Sequence, residues 1–306
     1  MRVALLFIDG VGVGAPDPSF NPLARGEWLL SQFADGTGTS LPGGGLTLLE
    51  TTFGVPGRPQ SATNQTALLT GEPAPRLIGR HVLGFPDAAL REILLRSSVV
   101  KRLVARGRRA TFANGYPAGY LSALGLPHAP ASQPDVVVPD RARRRLRASS
   151  TTLAFAAGEV PLRTLDQARA GKALAHDVTG ARARAYGLDV PLRTPEEAAE
   201  VFWRVADGMD FTLFEHFVAD EAGHARDMAL AESALATFDA FTRAVLAQRP
   251  EDVRVLVCSD HGNVEDLRIR NHTRGPVALL SFPPLDGESP LENVADVAGV
   301  LAEAGA

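Results

Sequence analysis

The chain has one cysteine, Cys258, in 306 residues. A lone thiol excludes an internal disulfide framework and a cysteine-based zinc site, and in its apolar surroundings it reads as a small residue of a buried strand. Long apolar runs are also missing, and none approaches the roughly 20 residues needed to span a bilayer. The opening "MRVALLFIDG" has an apolar run too short for a signal peptide and no cleavage site after it. Neither sign of charge dominates: the net charge is −4, which offers no footprint for nucleic acid or an anionic membrane. Lysine occurs only as Lys101 and Lys172 among 31 basic residues. These absences lead to the expectation of a cytoplasmic protein of enzyme size with neither nucleic acid nor membrane as partner.

What is present is ordinary globular material, 45% apolar and 22% charged. The length suits one large α/β domain or a domain carrying an insert. Short aliphatic runs read as strands buried on both faces: "VALLFID" (3–9), "RATFANGY" (109–116), "DFTLFEHFVAD" (210–220), "VRVLVCSD" (253–260) and "PVALLSF" (276–282). Helical patterns at 87–107, 195–208 and 229–248 lie between them, with Thr194 and Pro195 marking one helix start. The alternation predicts a doubly wound, mostly parallel α/β sheet flanked by helices. The pattern breaks at 117–190, with the Pro-rich "GLPHAPASQPDVVVPD" and the basic "RARRRLR" (141–147). The expected organisation is a core formed by 1–116 and 191–306, with 117–190 as a small inserted cap. The Gly-rich 33–45 reads as a surface loop.

Three expected strands end in aspartate: Asp9, Asp220 and Asp260. In open parallel sheets, ligands bind beyond the carboxyl ends of the strands, where such side chains converge. Two of the seven histidines, His261 and His272, follow Asp260 within a dozen residues. In "DEAGH", Asp220 and His224 are four apart, so one helical turn would aim both at a common point. Mixed carboxylates and imidazoles suit Zn²⁺, Mn²⁺ or Fe²⁺. Six such groups are too many for one site and about right for two, and paired metals clamp the oxygens of a phosphoryl displacement. Ser61 in "GRPQSATNQTALLTG" opens an expected helix whose first N–H groups favour an anion, although serine there also serves as a plain N-cap.

These segments resemble the alkaline phosphatase superfamily in content and order, and "DHGNVE" and "HTRGPVALL" are most similar to cofactor-independent phosphoglycerate mutases and phosphopentomutases. The resemblance implies an alkaline-phosphatase-like fold with two divalent metal ions, Mn²⁺ or Zn²⁺. Asp220, His224 and His272 would surround one; Asp9, Asp260, His261 and the Ser61 oxygen would surround the other. It further implies that Ser61 attacks the phosphorus of a small phosphorylated substrate, giving a phosphoserine relieved by water or by a second hydroxyl. Asn64, Arg226 and Arg274 are the candidates for contacting the phosphate. "PQSATN" departs from the mutases' nucleophile segment and the insert is short, so mutase and phosphatase both stay open.

Two other readings compete. "GVGVGA" (10–15) fits a dinucleotide-binding glycine pattern, but "PDPSFNP" follows at once and is poor material for the helix that motif requires. A catalytically inactive metal-binding regulator of the same fold would show a missing ligand or nucleophile, and every such position is filled. His216, in the same run as Asp220, reads as a satisfied core histidine. The sequence leaves the oligomeric state open.

Overall fold

In the first apolar run, Val3, Leu5 and Phe7 alternate with Ala4, Leu6 and Ile8, and both sets are buried. Successive side chains of a strand point to opposite faces, so this strand has to be covered on both sides. A computed structural model describes residues 1–130, 138–285 and 291–306. Its strands, in chain order, are Arg2–Ile8 (β1), Gly45–Leu49 (β2), Ala110–Phe112 (β3), Gly115–Tyr116 (β4), Arg163–Thr164 (β5), Phe211–His216 (β6), Val253–Cys258 (β7) and Val277–Phe282 (β8). Six of them form one sheet in the order β2-β8-β7-β1-β6-β3. β1 lies at its centre, paired in parallel with β6 and β7, and β3 extends the parallel part beyond β6. β8 runs antiparallel to both β7 and β2. This is the mixed α/β sheet, flanked by helices, that the alternating pattern predicts.

The alternation in β1 divides the core. Val3, Leu5 and Phe7 join a cluster with helices Ser61–Thr70, Ala88–Ser97, Val99–Ala105, Ser150–Ala157 and Val297–Ala302. Ala4, Leu6 and Ile8 join the cluster of helices Pro195–Ala206 and Met228–Ala247, which pack on each other. Pro195 fits the first turn of its helix, where the missing N–H costs nothing. Thr194 and Glu197 form a reciprocal capping box there.

Several elements differ from the sequence reading. The run 210–220 does not stay extended: β6 stops at His216, and Asp220 sits on helix Val218–Ala225. His216 and Asp220 therefore do not share a sheet face. The helix expected over 87–107 is two helices, because Ser98 leaves the helical region at ψ 132° and caps the second with its hydroxyl. The run 109–116 splits into β3 and β4, and β4 pairs with β5 outside the main sheet. β2 was not anticipated; it is an edge strand whose Leu46 and Leu48 face outward.

Within 117–190, helix Ser150–Ala157 places Leu153, Ala154 and Phe155 in the main core. Among the described residues, Leu165, Ala168, Ala173, Ala175, Ala183 and Val190 form a small core of their own. Residues 131–137 of the Pro-rich stretch lie outside the described residues, and most of the basic run 141–147 faces solvent. No helix among the described residues is long and apolar enough to cross a membrane.

Candidate metal centre

Asp9 directly follows β1, and Asp260 and His261 closely follow β7. β1 and β7 are adjacent and parallel, so these three residues leave the sheet together at its carboxyl edge. β6, the other neighbour of β1, feeds the helix that carries Asp220 and His224. β8 runs the opposite way, so the loop leading into it delivers His272 to that same edge. Ser61 is the first residue of its helix.

The result is two groups, Asp220, His224 and His272 in one and Asp9, Asp260 and His261 in the other, with ligand atoms within 4.8 Å of one another in each. The groups touch: the rings of His261 and His272 stack at 3.7 Å between centroids. Ser61 Oγ lies 2.9 Å from His261 Nε2. That nitrogen is 3.4 Å from Asp9 Oδ1 and 3.5 Å from Asp260 Oδ2.

Hydrogen bonding in the first group suits a cation. His272 Nδ1 donates to Pro59 O at 2.8 Å, and His224 Nδ1 donates to Arg270 O at 3.0 Å. In the neutral rings this leaves both Nε2 atoms with lone pairs, yet they lie 3.1 Å apart. Two acceptors at that distance need a proton or a cation between them. Asp220 Oδ2 lies 3.3 Å from His224 Nε2 and Oδ1 lies 3.6 Å from His272 Nε2. Asn263 Nδ2 donates to Asp220 Oδ1 at 2.6 Å and fixes the carboxylate.

The second group makes the same case by burial. Asp9 is 8% exposed and Asp260 0%, and neither Asp9 Oδ1 nor Asp260 Oδ2 has a hydrogen-bond partner. Burial, reinforced by neighbouring carboxylates, pushes Asp9 well above the ordinary carboxylate range. The same causes raise Asp260 to about 7. Burial also lowers His261 and His272 to about 4 each. At the half-buried Asp220 the effect of burial is outweighed by the His224 hydrogen bond and the nearby imidazoles, which hold it below its ordinary value. His224 is raised in turn, chiefly by its hydrogen bond to Asp220. A divalent cation would reverse the penalty on Asp9 and Asp260, because a bound ion is the largest local charge.

The sequence reading missed Glu265. Its Oε2 accepts from Gly12 N at 2.9 Å and Asn263 N at 2.8 Å, and its Oε1 accepts from Thr273 Oγ1. One buried carboxylate thus ties the loop after β1 to the β7–β8 connection, which carries both His261 and His272. The only signal was its place in "DHGNVE". Glu215, on β6, was also passed over; burial raises it to about 7 despite a hydrogen bond with Thr151, and Asp260 adds to the rise. The glycines of "GVGVGA" serve close approach: Gly10 has φ +76°, and a Cβ there would meet Asp220 Oδ1 at 2.6 Å.

Asn64, Arg226 and Arg274 are the expected phosphate contacts. Asn64 is buried and donates through Nδ2 to Thr51 O and Asp260 O, which makes it a brace of the Asp260 loop. Gln65 donates to Asp9 Oδ2 at 3.2 Å. Arg226 and Arg274 are exposed. Arg58, not singled out beforehand, donates to the carbonyl of His272 at 2.6 Å.

The family model described as Metalloenzyme superfamily matches residues 192–303. The phosphopentomutase of Deinococcus radiodurans is 36% identical over 106 residues, covering 33% of this chain and 27% of that protein. The phosphopentomutase of Helicobacter acinonychis is 35% identical over 72 residues, covering 24% and 17%. The chain thus spans about a quarter or less of the length of the curated relatives it matches. Among solved structures, the fold is similar to the PH0037 protein from Pyrococcus horikoshii, with a TM-score of 0.56, 12% identity and coverage of 100% and 97%. It is also similar to the alkaline phosphatase from the Antarctic bacterium TAB5, with a TM-score of 0.51, 13% identity and coverage of 99% and 97%. The matching family model, the phosphopentomutase similarity and the alkaline-phosphatase-like fold each agree with a site whose side chains are grouped as ligands for divalent metal ions.

Proposed function

We propose that this chain is a phosphoryl-transfer enzyme with two divalent cations, acting on a small phosphorylated metabolite through a phosphoserine at Ser61. Asp220, His224 and His272 would hold one cation; Asp9, Asp260, His261 and the Ser61 oxygen would hold the other. The observation that carries the reading is that Ser61 Oγ lies 2.9 Å from Nε2 of His261, the ring that stacks on His272 of the other group. When bound, the cations would favour the serine alkoxide and neutralise charge on the phosphoryl oxygens.

The chain's own residues do the rest. Ser61 supplies the attacking oxygen, and the unpaired N–H groups of its helix's first turn face an anion there. Asn64 and Gln65, on the same helix, hold the Asp260 loop and the Asp9 carboxylate in register with it. The donor set suits Mn²⁺ or Zn²⁺, and elemental analysis of protein purified without chelator decides between them. The part of 117–190 with its own small core, roughly 165–190, is the segment we assign as cap.

Because the similar curated proteins are phosphopentomutases, phosphopentoses are the first substrates to test. Metal-loaded protein is incubated with them and with phosphoglycerates, and products are read by mass spectrometry. Isomer without free phosphate identifies a mutase; free phosphate alone identifies a hydrolase. A phosphorylated peptide containing Ser61 is expected after rapid acid quench. Stoichiometric metal binding with no turnover of either kind would instead support the regulatory reading.

A further inference from the structure

The segment assigned as cap, roughly 165–190, is not free of the core it would close over. Leu174 and Val178 leave its small cluster and are buried instead in the main-core cluster of helices Pro195–Ala206 and Met228–Ala247. Leu174 forms an isolated β-bridge with Asn114. Its amide donates to Ala113 O at 2.8 Å, and its carbonyl accepts from the Gly115 amide at 2.8 Å. Three further contacts tie the segment to the helix that carries Asp220 and His224 and to the residues leading into it. His216 Nδ1 donates to His176 O at 2.9 Å. The rings of His176 and Phe217 stack at 4.1 Å with 4° between their planes. Arg182 pairs with Glu221, the residue after Asp220.

Lifting this segment would strip the buried His216 donor of its acceptor and bring Leu174 and Val178 into water, and both changes are unfavourable. Other described parts of 117–190 are anchored as well. Phe155 stacks on Phe112 and Phe211, and Ser150 Oγ donates to Ala62 O, next to Ser61, at 3.4 Å. With the segment in place the His224 side chain is still 40% exposed, so the candidate metal centre stays open on that side. A mutase has to keep water from its phosphorylated intermediate until a second hydroxyl of the substrate arrives, which calls for a cap that closes.

Resting on the phosphoserine proposal, we infer that 165–190 is a fixed wall of the site and that water is the phosphoryl acceptor, which makes the chain a phosphohydrolase. Ser61 Oγ bonds to phosphorus as the P–O bond to the substrate alcohol breaks, and the serine proton passes to the departing alcohol. A water oxygen then bonds to phosphorus and the P–Oγ bond breaks. One proton of that water returns to Ser61 Oγ, and inorganic phosphate leaves with the other.

The test incubates the metal-loaded full chain with phosphopentoses and phosphoglycerates in water labelled with heavy oxygen. Free phosphate carrying an oxygen from that water is expected, with no isomer. Isomer formed faster than labelled phosphate would overturn the inference and leave the phosphoserine standing. Absence of turnover together with an unphosphorylated Ser61 peptide would fall on the phosphoryl-transfer reading and take the inference with it. The fixed wall is tested apart from turnover by native-state hydrogen exchange of the metal-loaded chain, with and without inorganic phosphate. The Leu174 amide should be as protected as those of β6, and exchange faster by roughly tenfold or more would show that the segment opens. Arg182→Cys combined with Glu221→Cys allows a short reducible cross-link, since the native Cys258 is buried. Phosphate release should be the same with and without the cross-link, and a loss that reduction restores would overturn the fixed wall.

Discussion

The two halves of the metal centre differ in their access to water. Asp260 and His261 are 0% exposed and Asp9 is 8%, whereas the His224 side chain is 40% exposed. In the buried half, the polar cost of folding falls on two carboxylate oxygens, Asp9 Oδ1 and Asp260 Oδ2, that have no hydrogen-bond partner. In the open half, Asp220 and two imidazoles already satisfy one another in part, and water can replace a lost ligand. The buried half should therefore grip its ion and the open half exchange it, which suits a cation that faces incoming substrate.

The largest effect expected is on turnover. Ser61→Ala should lower kcat by at least on the order of a thousandfold, while metal content stays close to wild type because side chains of Asp and His supply the other ligands. Near-normal rates in that variant would remove Ser61 from the chemistry. Next comes affinity. Asp260→Asn and His224→Ala each weaken one proposed ligand, and loss at the buried position should exceed loss at the open one by about tenfold, on the scale by which ligand surroundings tune metal sites. Metal titration of the two variants measures this, and equal losses would break the contrast between the halves.

A third test concerns pH. Asp9 and Asp260 are raised above the ordinary carboxylate value of 3.8, Asp260 to about 7. His261 and His272, lowered to about 4, contribute in the opposite sense, with stability that rises with pH between about 4 and 6.5. Each of the two carboxyls binds more protons in the folded metal-free chain than in the unfolded one, so its contribution to stability falls as pH rises from about 4 through about 7. The raised His224 acts in the same sense over a higher window: its contribution is full below the unfolded value of 6.5 and is lost as pH rises through the folded one. Solvent screening at this half-exposed residue makes its share the smaller. In chelator-treated protein followed by urea denaturation across pH, Asp260→Asn should make stability fall less, or rise more, with pH than in the wild type, because it removes one declining contribution.

The smallest effect is on scaffold stability. Glu265→Gln puts an amide NH₂ where three donors now find a carboxylate, which should cost about 1–3 kcal/mol. The same change should weaken metal binding in both halves, since Glu265 braces loops belonging to each. An effect confined to one half would show that the two loops are held independently.

Elements with a strong local signal were legible in the sequence. β1, β7 and β8 are continuous aliphatic runs buried on both faces, and the helix at 195 announces itself by Thr194, Pro195 and Glu197. The groups around Asp220, His261 and His272 were legible because their motifs are short and contiguous. What was not legible depends on partners remote in the chain. Glu265 matters because it meets Gly12, 253 residues away. Ser150–Ala157 looked like part of an insert because nothing local shows that Phe155 stacks on Phe112 and Phe211. β2 is a strand by virtue of an exposed edge that β8 leaves open. Asn64, read as a phosphate contact, is spent on two carbonyls that only the folded chain brings near.

The sequence by itself determined which groups could bind metal and which runs would be buried, because donor chemistry and hydrophobic period are properties of residues. Only the tertiary structure decided that β6 gives way to a helix before Asp220 and that two acceptor nitrogens face each other at 3.1 Å. These are distances between groups far apart in the chain, fixed by the packing of the whole core and by no single segment of it.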